Sequence, residues 1–217
     1  QQRSVITYVH LRTKYEHYLD NNLALTDDIK HLTPQPMFHM LHGLPGAGKS
    51  KILEWLQSYW EVVWQYERGV HFAFVAYSNS MADNINGFTI HSFFSLPWKS
   101  ADGTVVNVCD EKAWTTLFTR MSLLQFVVID EVEAAGLSML NAVNERLQEI
   151  SSREVRYRKS NADAQAVNRF FGGVNILMAG DFWQLHPTGD TAIMTNPYFI
   201  VFVVGFTATI FLLSVQS

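Results

Sequence analysis

The sequence predicts an α/β fold: a parallel sheet flanked by helices, with an N-terminal helical extension. Three observations predict it. A glycine-rich loop, Gly43-Leu44-Pro45-Gly46-Ala47-Gly48-Lys49-Ser50, sits between a short apolar run and a helical pattern. Two further apolar runs, 126–130 and 175–181, each end in an acid, as buried parallel strands do at their carboxyl ends. Strand-like and helix-like segments alternate along the chain, the order that produces right-handed crossovers.

Taken in order, residues 1–36 form the helical extension. Tyr8, Leu11, Tyr15, Tyr18 and Leu19 recur at helical spacing, and the Thr-Pro-Gln-Pro stretch at 33–36 ends the pattern. The main domain spans 37–197. Its first strand is the apolar run 37–41, followed by the glycine-rich loop. A helix begins near Lys49 and carries Ile52, Leu56, Tyr59 and Val63 on one face. The run 70–77 is the next strand, 96–108 a surface excursion, and 126–130 a buried strand. Leu137, Leu140, Val143, Leu147 and Ile150 mark an amphipathic helix, 152–160 a basic loop, and 175–181 a further buried strand.

The bulk numbers narrow the function classes. Hydrophobic residues make up 48% and charged residues 17% of the 217, a composition that folds. A net charge of −4 excludes a wholly basic nucleic-acid-binding surface and leaves room for a local basic groove. Cys109 is the one cysteine, so no disulfide framework exists within these residues and a reducing compartment is expected. The histidines lack metal-ligand spacing. Residues 198–217 are an apolar tail. Its stretch 198–215 is long enough to span a membrane as a helix of about 27 Å, and its Val, Ile, Phe and Thr content suits strands equally well. No Lys or Arg flanks it. A truncated or mis-joined terminus is the expectation, with a membrane anchor the minor alternative.

The loop 43–50 fits G-x-x-x-x-G-K-[ST] without a gap. Glycines let backbone N–H groups turn inward around phosphate oxygens, Lys49 offers a charge to the β/γ-phosphates, and Ser50 offers a hydroxyl to Mg²⁺. Gly43, Gly46, Ala47, Gly48, Lys49 and Ser50 are therefore the expected nucleotide-binding residues. Asp130, delivered by an apolar strand, is the second expected metal ligand, and Glu131 is placed to take a proton from water. Gln184, after the strand 175–181, is expected to meet the γ-phosphate.

Four stretches together, Gly-Leu-Pro-Gly-Ala-Gly-Lys-Ser, Asn-Ile-Asn-Gly-Phe-Thr-Ile-His-Ser-Phe-Phe at 84–94, Val-Val-Ile-Asp-Glu, and 171–190 with its Gly-Asp-Phe-Trp-Gln-Leu, carry a resemblance. From about Met37 to Asp190 the chain resembles superfamily-one DNA helicases of the Pif (petite integration frequency) and RecD-like type. The resemblance implies a RecA-like P-loop NTPase fold, ATP and Mg²⁺ as cofactors, and 5′→3′ movement on single-stranded DNA or DNA junctions. It also implies work in DNA repair, recombination or telomere maintenance, in the nucleus or another DNA-containing compartment. Lys49, Asp130, Glu131 and Gln184 take the catalytic positions. Ser78, Asn79, Thr89, His91, Ser92 and Phe93 take the DNA-contacting ones. Hydroxyls there would meet phosphates, and an aromatic or imidazole face would stack a base. A second RecA-like domain, which supplies arginines to the ATP site, is the implied partner. Asp190 is the last charge of these residues, so slow turnover by them alone is the expectation. The alternative reading is a nucleotide-binding module without motor activity, possibly tethered to a membrane. The chain departs from the family at Glu133, where a small hydroxyl residue is usual, at His186, where a proline is, and at 76–83, which lacks a usual glycine.

Overall fold

The computed structural model describes residues 2–33, 35–99, 105–106, 111–153, 170–181 and 209–213. Helix α1 (Gln2–Asp20) leads into strand β1 (Phe38–Gly43), and helix α2 (Lys49–Val62) follows the glycine-rich loop. Strand β2 (Phe72–Ala76), helix α3 (Asn79–Asn84), strand β3 (Phe88–Thr89) and helix α4 (Ile90–Phe94) come next. A small antiparallel pair, β4 (Trp98–Lys99) and β5 (Val105–Val106), forms the excursion. Helix α5 (Glu111–Met121), strand β6 (Phe126–Ile129), helix α6 (Leu137–Arg153), strand β7 (Asn175–Gly180) and strand β8 (Thr209–Leu213) complete the elements used below.

The main sheet has the order β3-β2-β6-β7-β1-β8, and every pairing in it is parallel. Side chains alternate across a strand, so each apolar run feeds two cores. Leu41, Phe72, Phe74, Phe126, Val128, Leu177 and Ala179 face α1 and α2. Met40, Ala73, Val75, Val127, Ile129, Ile176 and Met178 face α4, α5 and α6. That double burial is why these strands read as continuous apolar runs rather than alternating ones. On the first face Trp60 of α2 is fully buried between Phe72 and Phe126, with ring centroids 5.1 and 4.9 Å away. Its indole N–H donates to Thr13 Oγ1 of α1 at 3.0 Å.

Helix α1 is pinned beneath the amino ends of the strands by a buried polar network. Arg12 donates from Nε to Asn175 Oδ1 (2.9 Å), from Nη1 to the Thr33 carbonyl (2.9 Å) and from Nη2 to Glu16 Oε1 (2.5 Å). Asn175 in turn donates to Glu16 Oε1 and to the Gln125 carbonyl, and accepts from the Met37 amide.

The run Phe88-Thr89-Ile90 is strand for only two residues, because Thr89 caps a helix that starts at Ile90. The structure adds detail to two sequence-based expectations. The excursion at 96–108 contains the β4–β5 pair. Within the apolar tail, Thr209–Leu213 is a strand paired in register with β1, His39 opposite Thr209 and Gly43 opposite Leu213. For those five residues the strand reading, one of the two their composition allowed, is the one observed: a β1 edge left open would have presented unpaired backbone groups. No helix among the described residues is long and apolar enough to cross a membrane. Cys109, the basic loop from 154, Gln184, His186 and the rest of the tail lie outside the described residues.

Candidate functional site

In a parallel sheet all carboxyl ends meet at one edge, where a ligand can sit against several loops. Here that edge gathers the loops after β1, β2, β6 and β7. The loop after β1 turns through Gly48, whose φ of 86° lies in the left-handed region that glycine tolerates without a Cβ clash. Gly48 is the N-cap of α2, so the first free amides of that helix open onto the loop. Lys49, the first residue of α2, folds back and donates from Nζ to the Gly43 carbonyl. A cavity of about 380 Å³ lies over this loop, lined by residues 45–50 and by Asp130, Glu131 and Glu133.

The three acids reach it by different routes. Asp130 ends β6, and its amide donates to the Val75 carbonyl of β2 at 2.9 Å. It is 9% exposed, and burial pushes its carboxyl up to about 6. The neighbouring Glu131 charge adds to the rise, while the Glu131 amide and Lys49 oppose it. Glu131 has a φ of 48°, a left-handed conformation seldom adopted by a residue with a Cβ. It caps a 3-10 turn, Val132–Ala134, that swings the chain back toward the cavity. Glu133 on that turn is 7% exposed, and burial raises its carboxyl above the ordinary glutamate value, against the pull of its own amide and that of Asp181.

The expected nucleotide residues Gly46, Ala47, Gly48, Lys49 and Ser50 thus share one cavity with Asp130 and Glu131. Gly43 lies below, receiving Lys49. The donor set fits a nucleotide with a hard divalent cation: a ring of loop amides and one ammonium for phosphates, and a hydroxyl and carboxylates for the cation. Ser50, as an exposed hydroxyl at the start of α2, and Asp130 are the residues that would hold that cation.

The residues expected to meet DNA lie on the same edge, after β2 and β3. Ser78 caps α3, its Oγ accepting from the Met81 amide at 3.4 Å, and Asn79 beside it is exposed. Thr89 caps α4, accepting from the Ser92 amide at 3.2 Å and donating to Ser92 Oγ at 2.8 Å. Ser92 is exposed and His91 half-buried, with burial lowering the imidazole pKa. Phe93 is a correction. It is 1% exposed, packed against Phe88 and Phe94 under the Arg120 guanidinium, so its ring has no open face for a base.

Sequence reasoning gave no role to Tyr77, 42% exposed at the end of β2 beside Ser78. The motif pattern singled out Glu133 only as a departure and gave no sign that its side chain lines the cavity. Arg120 and Arg146 converge on the last carbonyls of α4, donating to those of Phe93 and Ser95 respectively, where cations suit the negative end of a helix.

The family model described as PIF1-like helicase matches residues 23–200. An ATP-dependent DNA helicase Pif1 of Psychrobacter sp. (strain PRwf-1) is 28% identical over 152 residues, 69% of this chain and 20% of that protein. An ATP-dependent DNA helicase PIF1 of Candida albicans is 30% identical over 147 residues, 67% of this chain and 14% of that protein. The chain therefore spans a fifth or less of the length of these relatives. Among solved structures, the Pif1 helicase from Candida albicans aligns with a TM-score of 0.57 at 24% identity, over 83% of this chain and 37% of that one. A Pif1 helicase from Bacteroides, in complex with ADP-AlF3 and ssDNA, aligns with a TM-score of 0.53 at 21% identity, over 90% of this chain and 43% of that one. These likenesses establish the shared fold.

Proposed function

The chain belongs to the PIF1-like helicase family, and on that premise we propose that its cavity binds ATP with Mg²⁺ and hydrolyses it to drive 5′→3′ movement on single-stranded DNA. The loop amides of 46–50 hold the β- and γ-phosphates, and Lys49 leaves the Gly43 carbonyl to meet them. Ser50 and Asp130 would hold the cation through oxygen. Among the described residues no three His, Cys, Asp or Glu side chains form a ready metal cluster, which suits a cation shared with phosphates rather than caged by protein alone. When bound, the cation would offset charge on the β- and γ-oxygens. Glu131 takes a proton from the attacking water as its oxygen joins the γ-phosphorus and the bond to the ADP oxygen breaks. Gln184 orients that water. Work in DNA repair, recombination or telomere maintenance follows the same premise, as do a second RecA-like domain as partner and a nuclear or other DNA-containing compartment.

Single-stranded DNA crosses the carboxyl edge at Ser78, Asn79, Thr89, His91 and Ser92. The hydroxyls of Thr89 and Ser92 at the start of α4 and that of Ser78 before α3 give phosphate contacts without reading sequence. The relatives named as DNA helicases and the Bacteroides structure with ADP-AlF3 and ssDNA support this reading.

The observation that carries the nucleotide reading is the single cavity joining residues 45–50 to Asp130 and Glu131. The test is titration with a fluorescent ATP analogue in Mg²⁺. Lys49→Ala is expected to weaken binding by at least about tenfold, the equivalent of ~1.4 kcal/mol. Equal affinity in the two proteins sinks the assignment.

A further inference from the structure

Glu133 has no part in the chemistry proposed above, yet its side chain lines the same cavity and is 93% buried by the exposure of 7%. One carboxyl oxygen, Oε2, is enclosed and has no hydrogen-bond partner. A buried acceptor left without a donor is unfavourable, and here the fold holds it in place. The Asp181 amide donates to the carboxyl. Gly180 closes the other side: a Cβ at that position would lie 2.2 Å from Oε2 and 3.0 Å from Val132 Cγ1. The carboxyl cannot swing outward without losing the Asp181 amide. Around the cavity three carboxylates, Asp130, Glu131 and Glu133, stand against Lys49, the one cation among the described residues of its lining.

We propose that Glu133 is a specificity-determining residue that makes this cavity reject nucleoside triphosphate lacking a divalent cation and accept the cation-bound form. The inference rests on the nucleotide reading above. A triphosphate brings several negative charges toward a half-enclosed site whose own charge is already acidic. Coulomb repulsion there is screened far less than in water. A divalent cation entering with the phosphates cancels most of that repulsion, because its charge offsets theirs. Asp130 and Glu131 have direct roles in that chemistry. Glu133, set back on the 3-10 turn, acts through its charge alone, so it changes the preference without holding the cation.

The experiment measures affinity of the full 217-residue chain for a fluorescent ATP analogue, once in excess Mg²⁺ and once in EDTA. Wild type and Glu133→Gln are compared, with thermal melting to verify folding and Glu133→Ser as a second variant should the glutamine protein fail to fold. The wild type is expected to bind at least about a hundredfold more weakly in EDTA. In the variant that ratio is expected to shrink by roughly tenfold or more, the size of effect one charge exerts at such range, through tighter binding in EDTA with affinity in Mg²⁺ kept within about twofold. A merely structural role for Glu133 would weaken binding equally in both buffers, and an unchanged ratio overturns the proposal while leaving the nucleotide reading intact. Absence of any wild-type binding in Mg²⁺ would overturn the nucleotide reading itself, and this inference with it.

Discussion

The two ends of one sheet treat buried charge in opposite ways. At the amino ends of the strands, Arg12, Glu16 and Asn175 are 2%, 5% and 1% exposed, and they bond to one another and to backbone groups of Thr33, Met37 and Gln125. At the carboxyl ends, Asp130 and Glu133 are almost as deeply buried, yet both are raised above ordinary carboxylate pKa values and Glu133 keeps an unpartnered oxygen. At the first end the buried charges are paired with the protein's own groups. At the second, on the nucleotide reading proposed above, a ligand would complete them. Buried ionisable groups whose environment penalises their charge cluster where chemistry is done, and buried groups with complete partners hold a fold together.

The sharpest way to break the contrast is at the amino end. Arg12→Ala leaves Glu16 buried with its strongest partner gone, and about 3–5 kcal/mol of stability is expected to be lost. Urea unfolding followed by far-ultraviolet circular dichroism reads it. A loss below about 1 kcal/mol would mean that the network only decorates α1.

A substitution of the opposite sign is expected at the other end. Asp130 has a folded-state pKa of about 6 against 3.8 ordinarily. The folded protein therefore binds more protons than the unfolded one between those values, and ligand-free stability falls as pH rises from about 4 to 6. At 1.36 kcal/mol per unit, the full loss above pH 6 is about 3 kcal/mol. Asp130→Asn is expected to recover up to that amount at neutral pH and to flatten this part of the profile. Thermal melts of both proteins across pH 4–7, in EDTA, check it. A destabilised asparagine variant would show that the carboxyl end is satisfied after all.

The smallest effect sharpens how the carboxyl end is held. Gly180→Ala puts a methyl group against Glu133 Oε2, and a loss of about 1–2 kcal/mol is expected, toward the low side of overpacking because a side chain can give. In a Glu133→Ala background the same change is expected to be nearly neutral. A double-mutant cycle measured by denaturant unfolding would report a coupling close to the whole single-mutant loss, and additive losses would disconnect the two positions.

Much of this was legible in the sequence because it is local. The spacing of the glycines, Lys49 and Ser50 marks the phosphate loop, and four apolar runs mark β1, β2, β6 and β7, since a strand buried on both faces shows itself in its own residues. Asp130 and Glu131 follow from standing at the end of such a run. Tertiary structure decided what depends on partners far along the chain. Phe93 has the composition of a base-stacking ring, and only the packing of Phe88, Phe94 and Arg120 around it makes it core. Thr209–Leu213 could be read as helix or strand until β1 supplied an edge with free backbone groups. Arg12 reaches Asn175 across 163 positions, a separation over which periodicity carries no signal. Glu133 turns into the cavity because Glu131 adopts a left-handed conformation and Gly180 leaves room for a carboxyl. Sequence thus determined which groups were available at the sheet edge; the three-dimensional packing alone determined which of them are left without a partner, because satisfaction of a buried group is a property of its neighbours in space.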